Sequence, residues 1–244
     1  MLESFYVEYS QIEDTHWWFR GRREIFTRLL APLAVKPLRM LDIGFGTGAM
    51  LKFLAPYGSV TGMDMSADAI RFARRRVACP MLLGSITNVP LASASFDLVT
   101  AFDIVEHVED DRTACAELAR VCRPGGAVVI FVPALQILWG WQDEVSHHRR
   151  RYRAGPLRAV VEGAGLRVTH VTYFNTLLFA PILAARLALR VWRPSGARNE
   201  NELGGPVANA VLGAIFAAEA PLLRRRLRLP IGVSLACVAT RPRR

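Results

Sequence analysis

The chain has 244 residues, 52% of them hydrophobic and 21% charged, with a formal net charge of +10. That apolar share fills a sizeable core and excludes a disordered chain, and the length suits one α/β domain with a cap or insertion. The basic residues are nearly all arginine, Lys36 and Lys52 being the two lysines, which points to phosphate or carboxylate partners such as a phosphorylated substrate or an anionic membrane.

Residues 1–36 are rich in aromatics (Phe5, Tyr6, Tyr9, Trp17, Trp18, Phe19, Phe26), and Ile25, Phe26, Leu29 and Leu30 recur at helical spacing before Pro32 and Pro37. They predict a helical cap laid on the domain that follows. No basic start leads into an apolar run, so no secretory signal is read. Cys79, Cys115, Cys122 and Cys237 form no C-x-x-C pair, and no metal-binding cluster is predicted. A cytoplasmic, reducing location follows from these features. Basic and aromatic residues do not interleave as they do on nucleic-acid platforms, so nucleic acid is not expected as a partner.

The most informative stretch begins at residue 39. Met40-Leu-Asp42-Ile is an apolar strand that ends beside an acid and breaks into Gly44-Phe45-Gly46-Thr47-Gly48, after which Ala49, Met50, Leu51, Phe53 and Leu54 resume a helical pattern. A strand, a glycine turn and a helix start gather backbone N–H groups at a positive helix end, where the backbone can meet a ligand closely. Two cofactor classes use such a turn. Gly44, Gly46 and Ala49 satisfy the dinucleotide fingerprint loosely, and S-adenosylmethionine lies over a similar turn. Asp64, at the end of the next strand and 20 residues beyond Gly44, serves a ribose in either case. Asp42 favours the second class, because a carboxylate there repels a pyrophosphate but suits the ammonium end of a methionine moiety.

Further strands are predicted at 59–64, 80–83, 97–102 and 126–132, with helices between them at 66–77 and 110–121. Alternation of this kind implies a parallel sheet covered on both faces. Residues 168–173 and 233–240 read as two later strands. Between them, Thr176–Ala185 and Leu203–Leu223 are mostly apolar, each followed by arginines. The first is too short to span a bilayer, and the second is interrupted by Gly204-Gly205-Pro206 and carries Asn209, Glu219 and Pro221. Non-spanning helices are expected there, as a lid over an apolar substrate, a membrane contact or a homodimer face. Arg74–Arg76 are expected on a solvated helix face.

Four blocks in order resemble the class I S-adenosylmethionine-dependent methyltransferases: the glycine turn, Asp64, Ser95-Phe-Asp-Leu-Val-Thr-Ala-Phe-Asp103-Ile-Val-Glu-His107-Val108, and Arg123-Pro-Gly-Gly-Ala-Val-Val-Ile-Phe-Val-Pro133. The His16-Trp17-Trp18-Phe19-Arg20-Gly21-Arg22-Arg23 block, with the segment ending His148-Arg149-Arg150-Arg151-Tyr152, resembles a bacterial type 11-like subgroup of them often associated with glycosyltransferases. The resemblance implies a Rossmann-like, doubly wound α/β sheet of about seven strands, mostly parallel with an antiparallel edge. It implies a single domain over 1–244, divided into the cap (1–36), the cofactor-binding core (37–174), the apolar helical insertion (175–229) and the last strand with a basic tail (230–244). S-adenosyl-L-methionine is the implied cofactor, surrounded by Asp42, Gly44, Phe45, Gly46, Gly48, Asp64, Met65, Ser85, Ile86 and Asp103, with Trp18 and Arg22 closing from the cap. Ser85 and Ile86 follow Gly84, where relatives often carry an acid for the adenine amino group, so a hydroxyl or backbone contact is expected instead.

For the chemistry, His148 is the preferred general base, since its free pKa lies near neutrality. His107, His147, Arg150, Arg151 and Tyr152 are the acceptor-site candidates. The expected activity is methyl transfer to a small-molecule, lipid-linked or sugar-linked acceptor. The alternatives are an NAD(P)-dependent oxidoreductase and a non-catalytic, membrane-associated protein of this fold.

Overall fold

A computed structural model describes residues 3–33, 37–191, 205–224 and 227–243. Two helices come first, α1 (Glu3–Ile12) and α2 (Trp17–Leu30). The core alternates β1 (Leu38–Ile43), α3 (Ala49–Leu54), β2 (Gly58–Asp64), α4 (Ala67–Ala73), β3 (Met81–Leu83), β4 (Phe96–Phe102), α5 (Asp111–Val121) and β5 (Cys122–Pro133). After it come α6 (Trp141–Val145), α7 (Ala154–Gly163), β6 (Arg167–Phe174), α8 (Phe179–Val191), α9 (Pro206–Ala217), α10 (Ala220–Arg224) and β7 (Ser234–Thr240).

The seven strands form one sheet in the order β3-β2-β1-β4-β5-β7-β6. Strands β1 to β5 pair in parallel, and β7 runs antiparallel to both β5 and β6. The carboxyl ends of β1, β2, β4, β5 and β6 therefore share one edge, which is where open α/β sheets hold ligands. Central strands β4 and β5 are buried almost throughout, as strands covered on both faces must be. Alternate residues feed two cores. Val128, Ile130 and Val132 join one, against α5 and α7 residues such as Leu118 and Leu157. Ala127, Val129 and Phe131 join the other, with Ile25, Phe26 and Leu30 of α2 and Phe216 of α9.

Expected and observed elements differ mainly at their ends. Helix α4 stops at Ala73, and Arg74–Arg76 form the turn after it. Arg76 is not part of a solvated face: its guanidinium is 15% exposed and bonds Glu13, Asp14, the Ser10 carbonyl and the Thr47 hydroxyl. Strand β5 begins at Cys122 rather than 126, because Cys122 already pairs with Phe96 ahead of the turn at Gly125.

The apolar stretch at 206–223 has a mean hydropathy of 1.5 and meets the length and composition of a membrane span. It is divided at 218–219, and one side of it is packed. Phe216 is fully buried between Trp17, Trp18 and Phe174, with ring centroids 5.9, 6.0 and 6.2 Å away. A Cβ on Gly21 would lie 2.2 Å from the Phe216 ring, so the absence of a side chain there lets α9 approach α2. Asn209 completes the contact by accepting the Trp17 N–H and donating to the Thr15 carbonyl. Phe216→Ala is expected to cost about 3–5 kcal/mol, the range for truncating a buried phenylalanine; urea unfolding of the two proteins measures it.

Candidate functional site

Four buried acids, Asp42, Asp64, Glu106 and Asp143, lie at or just beyond the shared carboxyl edge. Asp64, at the tip of β2, accepts the Gly46 N–H on one carboxylate oxygen and the Ser66 N–H on the other, each at 2.9 Å. Burial pushes its pKa up and these bonds pull it back. The carboxylate therefore fixes the glycine turn against its own strand. Gly44, Gly46 and Gly48 all have positive φ. At Gly46 a Cβ would meet nothing within 4 Å, whereas at Gly44 it would run into Ile104. The turn is thus packed underneath and open above Gly46, the shape a backbone cradle for a ligand requires.

Asp42 sits two residues below the first glycine and is 2% exposed. Thr100 donates to one of its carboxylate oxygens at 2.6 Å, and the other has no hydrogen-bond partner among the described residues. Desolvation pushes its pKa up to about 7, and the neighbouring Asp64 charge adds to that. Phe45 is buried, while Met65 stands 81% exposed beside Asp64. Ser85 faces Thr87 across a 2.8 Å hydroxyl contact and Ile86 is buried. A turn open above Gly46, an acid at each of two neighbouring strand tips, one of them with an unpartnered oxygen, and apolar surface nearby fit a nucleoside carrying a cationic group.

Asp103, at the tip of β4, does not cap a helix. It adopts φ +54 and pairs with Arg22 at 2.5 Å. The Arg22 guanidinium carbon lies 5.5 Å from the ring centroids of both Trp18 and Phe131. The cap residues expected near the cofactor are thus brought to the sheet edge, with Arg22 held by Asp103. Helix α1 extends the cover. Its end and the turn after it are tied to the glycine loop through Arg76 and Thr47, and Gln142 of α6 donates to the Tyr9 hydroxyl at 3.2 Å. Burial pushes the Glu13 carboxyl up to about 7 against the pull of Arg76.

A second group of residues lies beyond β5. Asp143, on α6, is fully buried and accepts from His148 Nδ1 (2.8 Å), Arg151 Nε (2.8 Å), Arg151 Nη2 (3.0 Å) and the Gly140 N–H (2.8 Å). Burial works to raise its pKa, but the His148 hydrogen bond and the Arg151 charge win, and the carboxyl lies at about 2. With Asp143 ionised, Nδ1 of His148 carries the proton and Nε2 presents a lone pair when the ring is neutral. That nitrogen stands 3.8 Å from Glu106 Oε1. Glu106 is fully buried, and neither of its carboxylate oxygens has a hydrogen-bond partner among the described residues. Desolvation, then the nearby Asp103, pushes its pKa well up. The His107 ring meets the His148 ring edge-on at 4.7 Å, and burial followed by the His148 charge lowers its pKa to about 4.

The remaining acceptor-site candidates divide by exposure. His147 is exposed, in a left-handed turn. Arg150 bonds Asp111 and the carbonyls of Val108 and Glu109. Arg151 is 4% exposed and engaged by Asp143. Tyr152 is 4% exposed and donates to Asp111 at 2.7 Å. Internal partners account for Arg151 and Tyr152, which hold the loop from within. Sequence reasoning did not pick out Asp143 or Glu106 as site residues. Their only sequence signal was adjacency to the histidines, because burial and pairing depend on the tertiary fold.

The methyltransferase-domain family profile matches residues 41–130. Malonyl-[acyl-carrier protein] O-methyltransferase of Serratia marcescens is 30% identical over 204 residues, 81% of this chain and 80% of that one. The enzyme of the same name from Enterobacter lignolyticus is 32% identical over 62% of this chain and 63% of its own length, so the match spans under two thirds of that relative. A ubiquinone biosynthesis O-methyltransferase of Sinorhizobium fredii is 31% identical over 60% of this chain and 68% of that one. Among solved structures, the methyltransferase from a Haloferax volcanii complex with the Trm112 methyltransferase activator superposes with a TM-score of 0.65. It is 20% identical, with 99% of this chain and 96% of that chain covered. A Bacillus halodurans methyltransferase gives 0.61 at 16% identity, with 89% and 98% covered. These two structures speak to the fold.

Proposed function

We propose an acceptor class for this chain, which belongs to the S-adenosylmethionine-dependent methyltransferases: an oxygen nucleophile carried on a lipid-like or acyl-like chain. The family implies S-adenosylmethionine as the methyl donor. Oxygen is the reading drawn from relatives named for O-methylation.

The observation that carries the acceptor class is exposed apolar surface on two helices anchored to elements of the site. Leu187 and Leu189 of α8 and Val207 and Val211 of α9 are 40–78% exposed. Both helices are anchored to the site. Helix α9 packs on α2, which carries Arg22, while Arg186 of α8 lies 3.5 Å from Asp143 and Arg190 bonds the carbonyls of Ile137 and Trp139. An apolar tail lying along this band would bring its head group to the edge that holds Asp103 and His148. The same band would let the protein rest on the cytoplasmic face of a membrane and draw its acceptor from there.

Bound S-adenosylmethionine supplies a methyl group already activated on sulfur, so the protein's part is to position the two partners and to accept a proton. In this reading Asp64 meets the ribose hydroxyls, the glycine turn passes under the nucleoside, Met65 and Ile86 offer apolar surface to the purine, and Asp42 faces the ammonium. Asp143 holds His148 so that Nε2 takes the acceptor's proton, while closure of the cap through Arg22 and Arg76 excludes water.

Three outcomes follow. In the free protein the Asp42 carboxyl, at about 7, is largely neutral in mild acid, and a cationic partner favours its ionised form. Cofactor binding therefore expels a proton below about pH 7, and affinity falls by up to about tenfold per pH unit as the pH drops, levelling off above. Calorimetry in buffers of different ionisation enthalpy reads both effects. For the acceptor, kcat/KM should rise roughly fourfold per buried methylene, from about 0.8 kcal/mol each, and Val207→Ser with Val211→Ser should flatten that dependence. A panel of alcohols and acids methylated equally well with and without tails would sink the assignment. Finally, His148→Ala should lower kcat by about 10²- to 10⁴-fold, with cofactor affinity retained.

A further inference from the structure

Glu106, His107 and His148 form a group that the methyl-transfer reading leaves partly unexplained. One carboxylate oxygen of Glu106 and one ring nitrogen from each histidine all lie within 4.8 Å of one another. Glu106 is fully buried, and both its oxygens lack a hydrogen-bond donor among the described residues. A carboxylate taken out of water without a partner costs several kcal/mol, so this position calls for a proton or a cation. The orientation of His148 bears on which. Its Nδ1 side is engaged by Asp143 at 2.8 Å, leaving Nε2 to face the Glu106 oxygen at 3.8 Å. In the neutral ring that sets one lone pair against another, across a gap too long for a hydrogen bond. Two imidazoles and a carboxylate are the donor set of catalytic zinc sites and of non-haem ferrous sites. A carboxylate bonded to the far nitrogen of a ligating histidine, as Asp143 is here, is the usual outer partner of such sites, fixing the tautomer and strengthening the donor.

We propose that Glu106, His107 and His148 bind a divalent transition-metal cation, with Asp143 as the outer partner of His148. Cation binding does not depend on the acceptor assignment. What the cation does rests on the methyl-transfer reading: it polarises the acceptor's hydroxyl or carboxyl oxygen. The acceptor's O–H bond then breaks as the oxygen joins the cation, its proton passing to solvent water before the cap closes, which leaves the oxygen ready for methylation. In the loaded protein Nε2 of His148 is a ligand, and the cation replaces it as the group that activates the acceptor.

The probe is Co²⁺, titrated into the untagged, EDTA-treated full chain and followed by its visible absorption. One Co²⁺ per chain is expected, with affinity weakened at least about tenfold in Glu106→Gln and in His107→Gln whose circular dichroism matches the parent. Because a buried variant can fail to fold, X-ray absorption at the cobalt edge of the unmutated protein supplies a second reading, which should show imidazole scattering from two histidines. No saturable uptake, or an edge spectrum with oxygen donors alone, overturns the site. A thermal-shift titration with S-adenosylmethionine on the same sample separates the two readings. Cobalt uptake without a cofactor response sinks the methyl-transfer reading and leaves the cation site standing, while a cofactor response without cobalt uptake does the reverse.

Discussion

A single buried carboxylate organises the half of the site that lies beyond the fifth strand. Asp143 accepts from His148, twice from Arg151, and from the Gly140 N–H that opens its own helix, and Arg186 approaches from the eighth helix. All of these except Arg186 belong to one short loop, residues 140–151. Their convergence holds that loop in one shape and ties the eighth helix to it through Arg186. An ion pair at this depth adds little net stability over a well-packed apolar substitute, but removing one partner leaves the others as uncompensated charges. Its effect is on geometry: the residues of this loop and Arg186 of the eighth helix have one relative position in which the charges are compensated.

Asp42 and Glu106 show the opposite condition at the same edge. Each is buried with at least one carboxylate oxygen lacking a donor among the described residues, and in each, desolvation pushes the pKa upward. Arg22 is close enough to act on Glu106, yet it pairs with the more exposed Asp103. Unsatisfied buried acids gathered at the carboxyl edge of a parallel sheet represent stored affinity for positive charge. The two differ in surroundings. Asp42 lies beside the glycine turn, where a nucleoside with a cationic arm fits. Glu106 lies among imidazoles, which add donors of their own.

The sequence disclosed the parts of this arrangement that depend on local pattern. The strand that breaks into Gly44, Gly46 and Gly48 carries its own turn chemistry, and Asp64 follows at a fixed offset because one helix and one strand intervene. The apolar runs of the central strands were equally plain, since burial on both faces leaves them no polar alternation. What remained hidden depends on long-range contact. Arg76, in a run of three arginines, looked like solvated surface and instead joins the first two helices to the glycine turn. Asp143 and Glu144 are adjacent acids in one short helix, and only packing decides that the first is buried while the second stays exposed. Arg151 and Tyr152 resembled acceptor ligands by composition, but three-dimensional pairing turns them inward.

The apolar helices pose the remaining physical question, because stability alone does not account for them. The second core needs Phe216, Ala220 and Leu223 from this segment, and helical periodicity would allow the opposite face to be polar at no cost to that packing. Instead, Val207 and Val211 stand in solvent on the ninth helix, as do Leu187 and Leu189 on the eighth. Arg186 and Arg190 anchor the eighth helix to Asp143 and to the carbonyls of Ile137 and Trp139, while the ninth helix is anchored on the second. Exposed valine and leucine on helices so anchored are hard to derive from folding requirements, and an acceptor with an apolar tail, as proposed, would supply what folding does not.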